Sequence, residues 1–280
     1  MANTVKIGMI QMRVEFHDPQ KNLSHAQELV AQAAAQGADI CILPECMDLG
    51  WATPNAPAMA EPVPGKISEQ LSAIARRHNV WIVSGLTEQE DDKVYNCAVL
   101  IRPDGSIAAK HRKINILTDV EYMYQVGDRL TVTQTPYGKI GVSICADNLS
   151  PSLCLGHSLA RMGAEIILSP CAWAVTPDRD PLKQPYGQEW HEPYHILASR
   201  YGIPVIGVSN VGAMPVGEWA GWQAIGNSIA YDSDGRCASV LPYGPDAECV
   251  QVVEVTIQPS RATGTKLAQI ISEGESLCCF

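Results

Sequence analysis

At 280 residues, with 46% apolar and 18% charged residues, the chain has an ordinary globular composition and enough length for a sizeable core. Thirty acidic against twenty basic residues, and no run of Lys or Arg, exclude nucleic acid as the expected partner. No apolar run reaches the ~20 residues of a membrane span, and residues 1–8 are too short and polar for a signal peptide, so no membrane association and a cytoplasmic location are expected.

Taken in order, residues 5–11 read as a first strand. Asp18-Pro19 supplies a cap and a proline at the first helical position, and Leu23, Ala26, Val30, Ala33 and Ala34 recur at helical spacing until Gly37. Residues 39–43 lack polar alternation, as a strand covered on both faces does, and end in Pro44-Glu45. Beyond a Pro-rich loop (53–65), Ile67, Leu71, Ile74 and Ala75 mark a second helix, and 80–85 a third strand. Residues 95–101 and 106–111 form a hairpin about Arg102-Pro103-Asp104-Gly105, running into the basic cluster Lys110-His111-Arg112-Lys113.

A second hairpin (131–135 and 139–145) ends at Cys145. A helix over 151–162 and a strand over 165–170 follow, then a loop rich in Pro, Asp and Trp (171–188). A helix near 189–200 and strands over 204–210, 225–231 and 249–257 complete the pattern. No linker or composition break interrupts it, so the expectation is one α/β domain over residues 1–280.

Ten cysteines are many, yet several sit in apolar runs such as Ile40-Cys41-Ile42-Leu43, which suits a reduced core better than a disulfide framework. No Cys-x-x-Cys pair is present, and no closed zinc site is expected. Cys278-Cys279-Phe280 does not make a Cys-a-a-X lipidation signal, because Leu277 holds the fourth position from the end.

Cys145 stands at a strand-to-helix turn, beside the backbone N–H groups that open the next helix, and both features suit a nucleophile. Glu45 after a strand and Lys113 after a hairpin occupy comparable places. Singly, each has a structural explanation: a solvated strand end, one of twenty basic residues, a core thiol. Together they supply what a reactive thiol requires, a proton acceptor and a positive charge that holds the anion.

The ordered segments Leu43-Pro44-Glu45, Tyr95-Asn96-Cys97-Ala98, His111-Arg112-Lys113 and Gly138-Lys139-Ile140-Gly141-Val142-Ser143-Ile144-Cys145 are followed by the strand Ala164-Glu165-Ile166-Ile167-Leu168-Ser169-Pro170. Ser209-Asn210-Val211-Gly212, Gly226-Asn227-Ser228 and Asp234-Gly235 complete the series. On these residues the chain resembles the nitrilase superfamily of carbon–nitrogen hydrolases. The resemblance implies an α/β fold, a four-layer-forming αββα sandwich, with a Glu45–Lys113–Cys145 triad and no metal or organic cofactor. It implies a small-molecule amide, carbamoyl or nitrile substrate hydrolysed through an acyl-enzyme on Cys145. It also implies a homodimer or higher homo-oligomer built on the helices near 151–162 and 189–200.

Glu121, followed by Tyr124 and Gly127, fits the family's second glutamate and is expected to orient Lys113 or the substrate nitrogen. The Ala146 N–H is expected to join Lys113 at the oxyanion, with Asn148 and Trp173 as further substrate contacts. Ala146-Asp147-Asn148 shares its Asp with amide-hydrolysing branches and its Asn with true nitrilases. The chain is also shorter than typical nitrilases, which favours an amide or N-carbamoyl substrate. A nitrilase, and a family member that binds without catalysis, are the alternatives.

Overall fold

The computed structural model describes residues 3–261; the tail at 278–280 lies outside them. The first half comprises β1 (Asn3–Gln11), α1 (Pro19–Ala35), β2 (Ile40–Ile42), the short α2 (Ala56–Met59), α3 (Lys66–His78), β3 (Trp81–Glu90), β4 (Lys93–Ile101) and β5 (Ile107–Arg112). The second comprises β6 (Val132–Thr135), β7 (Gly138–Val142), α4 (Cys154–Arg161), β8 (Ile166–Cys171), β9 (Ala174–Val175), α5 (Gln188–Tyr201), β10 (Val205–Ser209), β11 (Val211–Ala213), β12 (Gln223–Ile225), β13 (Ile229–Tyr231), β14 (Cys237–Val240) and β15 (Cys249–Ile257). Asp18 caps α1 as its sequence predicts, its carboxylate accepting from the Lys21 N–H at 3.0 Å.

Two six-stranded mixed sheets result, ordered β15-β1-β2-β3-β4-β5 and β14-β13-β10-β8-β7-β6. Strand alternation divides the first sheet's side chains between two cores. Val5, Ile7, Met9, Ile40, Ile42, Val83, Ala98 and Leu100 face the second sheet. Cys41, Leu43, Ile82, Cys97, Val99 and Ile101 face α1 and α3, which contribute Leu23, Val30, Leu71 and Ile74. On the far side, Leu159 of α4 and Tyr194 and Leu197 of α5 pack on the second sheet. The layers are therefore α, β, β and α, the sandwich expected from the sequence.

The structure departs from the expected elements where polar residues hide strands or glycine divides them. β3 runs on to Glu90 and pairs antiparallel with all of β4, because Thr87 and Glu88, polar by sequence, are buried there. Glu88 is enclosed by Arg112, which reaches it at 2.7 Å, and by Lys110. The single strand expected over 225–231 is two. Gly226 and Asn227, both with positive φ, turn the chain from β12 in a small three-stranded sheet with β9 and β11 into β13 of the second sheet.

Candidate active site

The strands of both sheets deliver their carboxyl ends to one place. Glu45 follows β2, and Pro44-Glu45 crosses β3 so closely that a Cβ on Gly85 would stand 2.4 Å from Glu45 Cα. Glycine is required there, and the Gly85 N–H donates to Pro44 O at 3.0 Å. Glu45 N donates in turn to Cys171 O at the end of β8, 3.2 Å away, tying the two sheets together.

Along β5 and beyond, alternation sorts the basic cluster. Lys110 and Arg112 turn outward to Glu88, whereas His111 and Lys113 turn inward and are buried. A cavity of about 660 Å³ opens on the outward face, lined by Tyr95, Lys110 and Arg112, and not by Glu45, Lys113 or Cys145.

Lys113 Nζ lies 2.8 Å from Glu45 Oε1 and 2.8 and 2.9 Å from Glu121 Oε1 and Oε2. All three side chains are fully buried. Asn96 Nδ2 bridges the carboxylates, donating to Glu45 at 2.7 Å and to Glu121 at 3.1 Å. Trp51 Nε1 donates to Glu121 at 2.7 Å, and the Leu117 N–H at 2.9 Å. Glu45 Oε2 is buried with no partner among the described residues.

The residues expected with Glu121 serve the same hub. The Tyr124 hydroxyl is 3.7 Å from Cys46 Sγ, and the Gly127 N–H donates to Lys113 O at 2.8 Å.

Cys145 opens a 3-10 turn (Cys145–Asn148) after β7 ends at Val142, three residues earlier than the expected strand. Its φ of 40 is the left-handed conformation of a sharply turned residue, and only 6% of its surface is exposed. Asp147 fixes the turn. Its carboxylate accepts from the N–H groups of Ile144, Ile114 and Asn115 at 3.0, 3.0 and 2.8 Å, and lies 2.8 Å from His111 Nε2. The thiol's turn and the chain leaving Lys113 are thereby joined through one side chain.

Burial pushes the Glu45 carboxyl up to about 7; Lys113 opposes that rise and the Glu121 charge adds to it. Burial alone would lower Lys113, but the charges of Glu121 and Glu45 outweigh it and hold the ammonium well above the usual lysine range. Cys145 is raised well above an ordinary thiol by burial, then by its hydrogen bond with Cys171 and the Glu45 charge, with Lys113 acting against them. Burial also works against the Asp147 anion, yet the bonds from His111, Asn115 and Ile144 prevail and hold its carboxyl below the usual range.

Asn148 and Trp173, expected as substrate contacts, are both buried. The Asn148 amide bonds within the turn: Nδ2 donates to Cys145 O at 3.3 Å and Ser169 Oγ at 2.9 Å, and Oδ1 accepts from Ser143 Oγ at 3.0 Å. Trp173 is stacked on Trp190 with ring centroids 4.9 Å apart, and its buried Nε1 has no hydrogen-bond partner among the described residues. Ala146, at the second position of the 3-10 turn, is buried beside Cys145.

Helix α5 carries a His-x-x-x-His pair, His191 and His195. Their Nδ1 atoms contact the Tyr231 hydroxyl and Gly235 O, both at 2.9 Å. Among the described residues no three His, Cys, Asp or Glu side chains are grouped to hold a metal ion, and no helix is long and apolar enough to cross a membrane.

The carbon-nitrogen hydrolase family model matches residues 6–266. The chain belongs to that family. The chain is 32% identical to an omega-amidase of Mus musculus over 185 residues, 62% of this chain and 66% of the relative. The match thus spans just under two thirds of the mouse protein's length. A nitrilase of Pyrococcus abyssi is 33% identical over 203 residues, 71% of this chain and 76% of its own. Among solved structures, a carbon-nitrogen hydrolase from Helicobacter pylori G27 shares the fold with a TM-score of 0.78 at 22% identity, covering 90% of this chain and 89% of that one. An amidase from Nesterenkonia sp. does so with a TM-score of 0.77 at 18% identity, covering 98% and 97%.

Proposed function

We propose that this carbon–nitrogen hydrolase is an amidase of small molecules, an amide or N-carbamoyl compound, that works as one catalytic domain through an acyl-enzyme on Cys145. The observation that carries the reading is the Glu45–Lys113–Glu121 hub beside Cys145, in which Glu45 Oε2 alone among the hub's carboxylate oxygens has no partner among the described residues. That oxygen is the base for the thiol proton. Because burial disfavours the free thiolate, the proton leaves as the sulfur attacks the carbonyl carbon.

Lys113, held cationic by its two carboxylates, stabilises the tetrahedral oxyanion together with the Ala146 N–H. Collapse expels ammonia or an amine, which takes the proton from Glu45. Glu45 then deprotonates the water that hydrolyses the thioester. Glu121, acting through Lys113, is a positioning residue. The omega-amidase and amidase names among the relatives support the amide reading. The exposed flanks of α4 and α5 form the dimer face in the same proposal.

The test is intact mass spectrometry of the enzyme mixed with amide, N-carbamoyl and nitrile panels. An acyl increment on Cys145 from an amide or carbamoyl compound is expected, and Cys145→Ala loses both increment and turnover, while a variant of the exposed Cys154 loses neither. Turnover by Cys145→Ala protein overturns the mechanism; acylation from nitriles alone assigns a nitrilase.

A further inference from the structure

β7 and β8 carry two cysteines to the same end of the second sheet. Their last parallel rung pairs Val142 with Leu168, and Cys145 and Cys171 each stand three residues further on. Adjacent strands run about 4.8 Å apart, within the Cα separations that disulfides span. The chain leaving β7 stays bonded to β8. Ser143 N still donates to Leu168 O at 3.2 Å, and Cys145 N to Ser169 Oγ at 3.1 Å. That hydroxyl lies 3.5 Å from Cys171 Sγ, so Ser169 Oγ touches both the Cys145 backbone and the Cys171 thiol.

Cys171 has no competing engagement of strength. Its Sγ touches Ser169 O at 3.4 Å and the Tyr194 hydroxyl at 3.8 Å, both weak sulfur contacts. Cys46, the other thiol beside Glu45, is directed to the Tyr124 hydroxyl. The base and cation that prepare the Cys145 sulfur for a carbonyl also prepare it for a peroxide, and a thiolate left alone with peroxide proceeds to irreversible acids.

We propose that Cys145 and Cys171 form a peroxide-responsive pair, in which oxidation closes a Cys145–Cys171 disulfide that silences the enzyme until a thiol reopens it. Cys145 sulfur attacks one peroxide oxygen as Glu45 takes its proton, and the O–O bond breaks. Sulfur loses two electrons to become sulfenic acid, and the departing hydroxide takes the proton from Glu45 and leaves as water. Cys171 sulfur then attacks Cys145 sulfur; the S–S bond forms, the S–O bond breaks, and hydroxide leaves with the Cys171 proton as water. Two equivalents of an external thiol restore both cysteines. The inference rests on Cys145 being the reactive thiol, but its decisive readout needs no substrate.

The experiment treats the reduced full-length enzyme with hydrogen peroxide, blocks free thiols with iodoacetamide, and maps peptides by mass without reduction. Expected are a linked Cys145–Cys171 peptide lacking two hydrogens, and a loss of about nine-tenths of turnover that dithiothreitol restores. In Cys171→Ser protein the link is absent, dimedone labels Cys145, and excess peroxide causes a loss that dithiothreitol does not restore. Dimedone adduct or sulfinic acid on wild-type Cys145 with no linked peptide overturns the pair. Equal thiol rescue of wild type and variant overturns it as well. Should Cys171→Ser not fold, Cys171→Ala and the wild-type peptide map decide on the same terms. A linked peptide in an enzyme that turns over no amide sustains the pair and defeats the proposed function instead.

Discussion

Replacing Glu121 by Gln keeps the shape of the hub and removes one of the two negative charges around Lys113. The Oε1 atoms of Glu45 and Glu121 are each 2.8 Å from Nζ, so they stand at most about twice that distance apart. At about 5.6 Å and an effective dielectric of about 20, two unit charges repel by ~3 kcal/mol, equivalent to about two pH units. The Glu121 charge is one of the causes that raise the Glu45 carboxyl. Its removal therefore makes Glu45 easier to ionise, and the acid limb of kcat/KM moves down by about two pH units. The assay is ammonia release against pH at constant ionic strength, with the rate of Cys145 alkylation by iodoacetamide as a readout independent of turnover. An acid limb that stays in place or moves upward refutes the claim that the two carboxylates share one lysine electrostatically.

Glu45→Gln retains an acceptor for Asn96 and Lys113 but no base, so kcat/KM falls by about 10²-fold or more with the melting temperature little changed. A melting collapse with normal specific activity in the folded fraction would make Glu45 structural. Asp147→Asn weakens a buried pair with His111 and is expected to cost about 3 kcal/mol, or roughly 6–12 °C in Tm, by calorimetry. The Asp147 carboxyl lies below its unfolded value of 3.8, so its contribution is present above that pH and lost as pH falls through the folded value. The variant accordingly loses less stability than wild type on acidification through that window. Asn148→Ala is expected to lower stability by about 1–3 kcal/mol through the orphaned Ser143, Ser169 and Cys145 groups. A raised KM with unchanged Tm would instead return Asn148 to the substrate.

Where one physical signal dominated, the sequence was sufficient. The capped, periodic α1, the apolar β2 and the two hairpins around 95–111 and 131–145 are local patterns, and the structure has them within a few residues. Glu45, Lys113 and Cys145 stood out only as a set at the ends of elements, and the structure brings Lys113 onto Glu45 at 2.8 Å. Glu121 needed the resemblance and its spacing to Tyr124 and Gly127, and the structure places it on Lys113.

Asn96 gave a signal that was not used: a carboxamide inside an apolar strand has to have a buried partner, and it has two. Trp51 gave no local sign of its bond to Glu121, because that partner is 70 residues further along the chain. Asp147 carried information as a residue type, yet its grip on Ile114 and Asn115 depends on a fold that brings positions far apart in sequence together.

The pairing of β1 with β15 has a consequence for how the protein is made. Asn3 to Gln11 are matched rung by rung with Ile257 to Cys249, across about 240 residues at the Gln11 end. At a ribosomal pace of about 5–20 residues per second, β1 waits on the order of ten to fifty seconds for its edge partner. During that interval the nascent chain displays an open strand edge one position from β2, whose carboxyl end carries Glu45. The first sheet is completed last, so a ribosome stalled short of β15 presents chaperones with an apolar edge one strand from Glu45.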